Sequence, residues 1–275
     1  MRRLVLGTGM GLPIPQTEQI EIIKKCGFDG AFTNWQEDIE EMERVAAAIR
    51  LHGLLYHSIH APFDKVHHLW ETQEEGEAEL ARQIRCLEVA ARLGVDLVIM
   101  HTIIGMDRHT PTELGIARYA EIFDAAKHLG VRIALENTEG EEYLEALMNA
   151  SCGDSNVGFC IDTGHEMCYN GCRDMIGKYG HRLFSTHLND NMGQTGDAIT
   201  WLDDAHMLPF DGVADWRGIA ARLEAAGYCG DLTFELTTKS KPGRYCNDRY
   251  AAMDPREYIA DAYRRASLVR DLFHD

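Results

Sequence analysis

Apolar positions along the chain fall in short runs that alternate with amphipathic stretches from one end to the other. β-Rich runs occupy 3–8, 30–34, 54–60, 96–102, 131–137, 157–162, 183–188 and 231–236. Between them, helical spacing marks 16–26, 38–52, 74–93, 112–129, 141–149, 169–179, 215–226 and 255–272. Eight β-then-α units whose strands are rich in buried aliphatics predict parallel pairing through crossover helices. A closed (β/α)8 barrel accounts for that number of units better than an open doubly wound α/β sheet. Glycine punctuation agrees: Gly27, Gly94, Gly130 and Gly227 each fall where a helix should stop just before the next strand. No low-complexity linker or compositional shift interrupts the pattern, so residues 1–275 are expected to form a single domain.

Polar residues recur at one place in these units, the last residue or two of a strand. The third strand ends in His60, the fourth in His101, the fifth in Glu136-Asn137, the sixth in Asp162 with His165 just beyond, the seventh in His187 and the eighth in Glu235. A closed parallel barrel brings the C-terminal ends of its strands around one point on the axis. Carboxylates and imidazoles aimed there must bind a cation or suffer repulsion and burial cost. Glu136, Asp162, His187 and Glu235 are therefore the expected primary metal ligands. Their mixed oxygen and nitrogen donors suit Mn2+, Co2+, Mg2+ or Zn2+. His57, His67, His68, His109 and His181 have no partner spacing and read as structural histidines.

Composition narrows the class. A length of 275 residues is near that of a single barrel of this kind, and no apolar stretch approaches the roughly 20 residues of a membrane span. The opening MRRLVLGTG has too short an apolar run for a signal peptide and reads as a first strand. Eight cysteines without CxxC spacing suit reduced thiols, so a cytoplasmic location is expected. Forty-four acidic against 27 basic side chains give a formal charge of −17, which disfavours nonspecific attraction to nucleic acid or anionic membranes. Outward helix faces would allow a homo-oligomer without requiring one.

Read together, IHAP (59–62), VIMHT (98–102), ALENT (134–138), FCIDTGH (159–165), THLND (186–190), LPFDG (208–212) and TFEL (233–236) resemble the xylose-isomerase-like TIM-barrel superfamily. That group includes ketose 3-epimerases, hydroxypyruvate isomerase, inosose dehydratase and the abasic-site endonucleases of the endonuclease IV type. In the sugar-handling branch the resemblance implies one divalent metal on Glu136, Asp162, His187 and Glu235, with Glu136 and Glu235 doubling as acid and base. One glutamate would remove a carbon-bound proton, the cation would stabilise the ene-diolate, and the other glutamate would return a proton. His165 would hold a substrate hydroxyl. In the endonuclease branch it implies three zinc ions: one on His60, His101 and Glu136, one on Glu136, Asp162, His187 and Glu235, and one on His165, Asp204 and His206. Ketose 3-epimerases of this group usually carry an arginine near the position that is His206 here.

The leading expectation is thus a metal-dependent isomerase or epimerase of a small sugar, sugar phosphate or sugar-derived acid, a small-molecule carbohydrate substrate. The alternative is an endonuclease IV-like zinc phosphodiester hydrolase acting on abasic DNA, and the third a barrel that keeps its metal for binding or structure. Abasic-DNA binding needs basic and intercalating groups at the mouth, and Phe63-Asp64-Lys65-Val66-His67-His68 supplies few. The segments 190–212 and 237–254 are long for loops at strand C-termini, where barrels place function. The second holds Lys239, Lys241, Arg244 and Arg249, candidates for contacting a substrate phosphate or carboxylate. Trp35 and Trp201 are candidates for stacking on a sugar ring or lining a lid, and Trp216 for packing.

Overall fold

The structure is a computed structural model that describes residues 1–72, 74–106 and 110–274. Its strands are β1 (Leu4–Gly7), β2 (Gly30–Asn34), β3 (Leu55–His60), β4 (Leu97–His101), β5 (Arg132–Glu136), β6 (Val157–Asp162), β7 (Leu183–His187) and β8 (Leu232–Phe234). Each expected strand is present, most trimmed by a residue or two at its ends. All neighbouring pairs are parallel, in the order β7-β6-β5-β4-β3-β2-β1-β8. A parallel bridge between Leu188 and Phe234 closes the ring, with Leu188 N donating to Thr233 O at 2.8 Å. The fold is a (β/α)8 TIM barrel.

The helices are α1 (Gln16–Cys26), α2 (Ile39–Leu51), α3 (Glu74–Leu93), α4 (Glu113–Leu129), α5 (Glu141–Ala150), α6 (Thr163–Cys168), α7 (Met175–Tyr179), α8 (Trp216–Ala225), α9 (Asp248–Ala251) and α10 (Pro255–Arg270). Their ends carry the chemistry the sequence advertises. Asp38, Thr112, Asp215 and Asp254 cap helix N-termini by accepting backbone N–H bonds, and Pro255 opens α10. Gly130 closes α4 at φ 69°, a left-handed conformation that disfavours a side chain.

One expected helix is corrected. The stretch 169–179 is not continuous: the chain turns into α6 directly after β6, breaks, and resumes as α7. Gly171 and Cys172 both have positive φ, 61° and 57°, which a right-handed helix cannot contain. The early start of α6 matters, because Asp162 is both the last residue of β6 and the N-cap of α6, accepting from His165 N at 2.7 Å.

Strand register explains why the strand-end polar groups share one level. His101 pairs with Glu136 and Asp162 with His187. Side chains alternate across a strand, so His101, Glu136 and Asp162 share the inward face of Leu97, Ile99, Ala134 and Cys160. Those four form a small apolar cluster with Phe184 that is separate from the large core packed between strands and helices. The barrel interior is therefore an apolar layer with a polar layer above it, at the C-terminal end.

Candidate functional site

At the centre of that polar layer, one nitrogen meets two carboxylates. His187 Nδ1 lies 3.0 Å from Glu136 Oε1 and 3.1 Å from Glu235 Oε2. Ligand atoms of Glu136, Asp162, His187 and Glu235 all lie within 4.8 Å of one another. These are the four residues that the sequence pattern selects. The His187 ring is oriented by stacking on Phe32, with centroids 4.9 Å apart. Phe32 in turn requires Gly7, where a Cβ would sit 2.6 Å from the phenyl ring. The last residue of β1 thus supports a site residue. Asp162 is held on both oxygens, by His165 N on Oδ1 and by Asn189 Nδ2 at 2.8 Å on Oδ2.

Two further groups border this set. His60 Nε2 and His101 Nε2 lie 3.2 and 3.4 Å from Glu136 Oε2. On the other side, Asp204 Oδ1 lies 2.9 Å from His206 Nε2 and 3.5 Å from His165 Nε2. His60, His165 and His206 share one arrangement. Each places Nδ1 against a backbone carbonyl, of Ala61 at 2.8 Å, Asn137 at 2.9 Å and Glu235 at 3.1 Å. An Nδ1–H donated to a carbonyl leaves Nε2 as the lone-pair nitrogen, the usual way a protein aims a ligating imidazole. His206 reaches its position with φ 45°, a left-handed backbone uncommon for a residue other than glycine.

The charges are mutually dependent. Burial alone would raise the Glu136 carboxyl, but the facing imidazoles of His187, His101 and His60 outweigh it and hold the group well below its usual range. Burial is likewise overcome at Glu235, brought to about 2 by His187 and His206. At Asp162 burial prevails and lifts the carboxyl to about 6. Burial disfavours the His187 and His206 cations, yet Glu136 and Glu235 raise the first well above its normal value, and Asp204 and Glu235 raise the second to about 9. Histidine protons thus balance carboxylates that a divalent cation would balance instead, releasing those protons. The residues fit such an ion. Glu136 Oε2 and Asp204 Oδ1 are buried acceptors that receive no well-directed hydrogen bond, although ring nitrogens surround both. The structure therefore contains a metal-binding cluster.

A cavity of about 610 Å3 opens above it, within the range of small-molecule sites. His60, His101, His165, Asp204, His206 and Glu235 line it, with Phe63, Tyr169, Trp201 and Lys241. Glu136 lies a layer deeper and has no exposed surface. Of the basic candidates, Lys241 lines the cavity, with Nζ 3.3 Å from Asp204 Oδ2. Arg244 pairs with Asp203 at 2.8 Å and Arg249 with Asp211 at 2.6 Å, while Lys239 packs its stem beside Gly11. Trp35 is buried with its N–H on Glu37, and Trp216 is buried with its N–H on Asp190. His57 faces Asp231, His68 faces Glu71, His67 shares the short turn of His68, and His181 is exposed. His109 lies outside the described residues.

Sequence reasoning passed over several supporting residues. Asn137 bonds both backbone groups of Asp162, and Glu139 Oε1 accepts from Gly105 N at 2.6 Å at the cavity wall. Asp190 folds the long 190–212 loop back by accepting from Phe210 N, Ala214 N and Trp216 Nε1. Gly212 has to be small, since a Cβ there would sit 2.2 Å from Asn191 O. The signals were present in ENT, LND and PFDG, but only as neighbours of the more conspicuous candidate ligands.

The profile of the family described as xylose isomerase-like TIM barrel matches residues 20–263. Among curated relatives, the uncharacterised protein y4fM of Sinorhizobium fredii is 28% identical, covering 90% of this chain and 91% of that one. A 3-dehydroshikimate dehydratase of Pseudomonas aeruginosa is 23% identical over 96% of this chain, which spans only 41% of the dehydratase's length. The 3-keto-D-glucoside 4-epimerase of E. coli superposes with a TM-score of 0.73 at 17% identity, covering 98% of this chain and all of the epimerase. The IOLI protein, solved with a bound zinc atom, gives 0.75 at 19% identity, covering 99% of this chain and all of IOLI. At such identities the structural likenesses establish the fold.

Proposed function

This chain belongs to the xylose isomerase-like TIM-barrel family, and from that premise we propose that it is a cytoplasmic, metal-dependent isomerase or epimerase of a small sugar, sugar phosphate or sugar-derived acid. The observation that carries the reading is the convergence of Glu136 and Glu235 on His187 Nδ1 beneath a cavity of small-molecule size. Glu136, Asp162, His187 and Glu235 would hold one divalent cation, manganese, cobalt, magnesium or zinc. When bound, the cation acidifies the carbon-bound proton between a carbonyl and a neighbouring hydroxyl group.

The protein's own residues then move that proton. Glu235, which faces the cavity, would take it, and Glu136, the second carboxylate on His187 Nδ1, would, once protonated, return one. Return at the same carbon gives an epimer, and return at the neighbouring carbon an aldose–ketose pair. His165 and His206, fixed through Nδ1, orient substrate hydroxyls. A 3-keto-D-glucoside 4-epimerase among the structural neighbours and a 3-dehydroshikimate dehydratase among the relatives support a reading of this class. The test is deuterium exchange from D2O into a panel of ketoses, keto acids and their phosphates, followed by NMR with each metal. Exchange at a carbon beside the carbonyl is expected; no exchange in any of them overturns the reading.

A second reading has its own support. His60, His101 and Glu136, and His165, Asp204 and His206, stand beside the central four in the grouping that a zinc phosphodiester hydrolase of the endonuclease IV type would use. Against it, the described residues of the cavity lining offer one lysine beside three carboxylates, Glu139, Asp204 and Glu235. Zinc-dependent incision of an abasic duplex by the purified protein would decide for it.

A further inference from the structure

Lys241 stands apart from the other basic residues of the long loop after β8. Among the described residues lining the cavity it is the sole lysine or arginine. Its ammonium is placed from two directions: Asp204 Oδ2 accepts from Nζ at 3.3 Å, and the Trp201 ring lies under Nζ at 5.5 Å from its centroid. The side chain is 25% exposed. Three N–H bonds are available on an ammonium, and among the described residues Asp204 is the one acceptor.

The supports of this lysine belong to the same wall. Trp201 and Asp203 form a short 3-10 turn in the 190–212 loop, and Asp204 follows it. Arg244 clamps that turn by donating to Asp203 Oδ1 at 2.8 Å and Thr195 Oγ1 at 3.0 Å. The loops after β7 and β8 are thus tied by two adjacent ion pairs, at Arg244 outside the cavity lining and at Lys241 within it with donors to spare. Asp204 Oδ1 is meanwhile turned toward His206 and His165, so its charge is divided among three cationic partners.

Resting on the sugar reading above, we infer that Lys241 is a specificity-determining residue that selects substrates bearing a carboxylate. The enzyme then acts on a polyhydroxylated acid or keto acid rather than a neutral sugar. A phosphate dianion is disfavoured, since among the described residues the same lining sets three carboxylates, Glu139, Asp204 and Glu235, against one ammonium. A carboxylate carries one charge and matches a single ammonium.

Calorimetric titration of the purified protein with D-gluconate, D-glucitol and D-glucitol 6-phosphate isolates the carboxylate, because the three share one carbon chain. Gluconate should bind at least about tenfold more tightly than glucitol, the scale of one charge-assisted hydrogen bond. Lys241→Met should erase that preference, and Lys241→Arg should retain part of it, with melting curves showing that both variants fold. Equal binding of gluconate and glucitol, or a preference that survives Lys241→Met, overturns the assignment and leaves the sugar reading standing. A stronger, Lys241-dependent preference for the phosphate overturns the choice of carboxylate. If no polyol binds and an abasic duplex does, the sugar reading fails and this inference with it.

Discussion

Glu136 and Glu235 converge on one imidazole nitrogen, at 3.0 and 3.1 Å from His187 Nδ1. They differ in access, for Glu235 lines the cavity while Glu136 is fully enclosed. Replacing Glu235 with Gln keeps the volume and removes the base. Proton exchange measured at saturating metal should fall by roughly 10²–10⁴-fold. Glu136→Gln should lose metal occupancy as well, because its two oxygens face His60, His101 and His187. Exchange at the wild-type rate in Glu235→Gln would remove Glu235 from the chemistry.

Asn189 tests whether the ligands need outside support. Its Nδ2 donates to Asp162 Oδ2 at 2.8 Å, and nothing else in the described residues orients that oxygen. Loss of such a partner typically weakens metal binding by about 10- to 100-fold. Competition between Asn189→Ala and a chromogenic chelator should show a drop on that scale. Unchanged affinity would mean that the N-cap bond from His165 N suffices to place Asp162.

Most of the fold was legible because two periodicities repeat eight times, and each strand-end candidate was legible because it breaks an apolar run with a polar group. The residues that escaped, Asn137, Glu139, Asn189 and Asp190, act through hydrogen bonds to segments distant in the chain, and no spacing encodes which segment folds against which. The helix expected at 169–179 failed for a local reason. Apolar periodicity continued through Gly171-Cys172, where two successive positive φ angles break the helix. The basic cluster was read as four equivalent residues, and only the carboxylates of Asp203 and Asp211, supplied by other loops, separate Lys241 from Arg244 and Arg249.

His57 should make the fold sensitive to mild acid. Burial lowers its imidazole to about 4, against the pull of Asp231 at 3.9 Å. The unfolded chain takes up a proton near pH 6.5 while the folded chain resists until about 4. Stability is therefore full above about pH 6.5 and declines as pH falls toward about 4, by on the order of 3 kcal/mol from this group. Urea unfolding of His57→Gln near neutral pH and near pH 4 should show a shallower decline than the wild type. Parallel declines would assign the acid sensitivity to the carboxylates of the metal cluster.

Metal content separates the two functional readings and tests the cluster itself. A cation bound at about a thousand times its dissociation constant stabilises the folded state by about 4 kcal/mol. For a chain of this size that corresponds to roughly 10 °C in Tm. Treatment with a strong chelator should lower Tm on that scale, and readdition of the metal found by elemental analysis should restore it. About one equivalent of manganese, cobalt or magnesium per chain places the ion on Glu136, Asp162, His187 and Glu235 and supports the isomerase reading. About three equivalents of zinc would make ligands of His60, His101, His165, Asp204 and His206 and move the assignment to the hydrolase. A metal-free protein whose Tm ignores both chelator and added ions would overturn both readings, because the buried carboxylates would then be balanced by histidine protons alone.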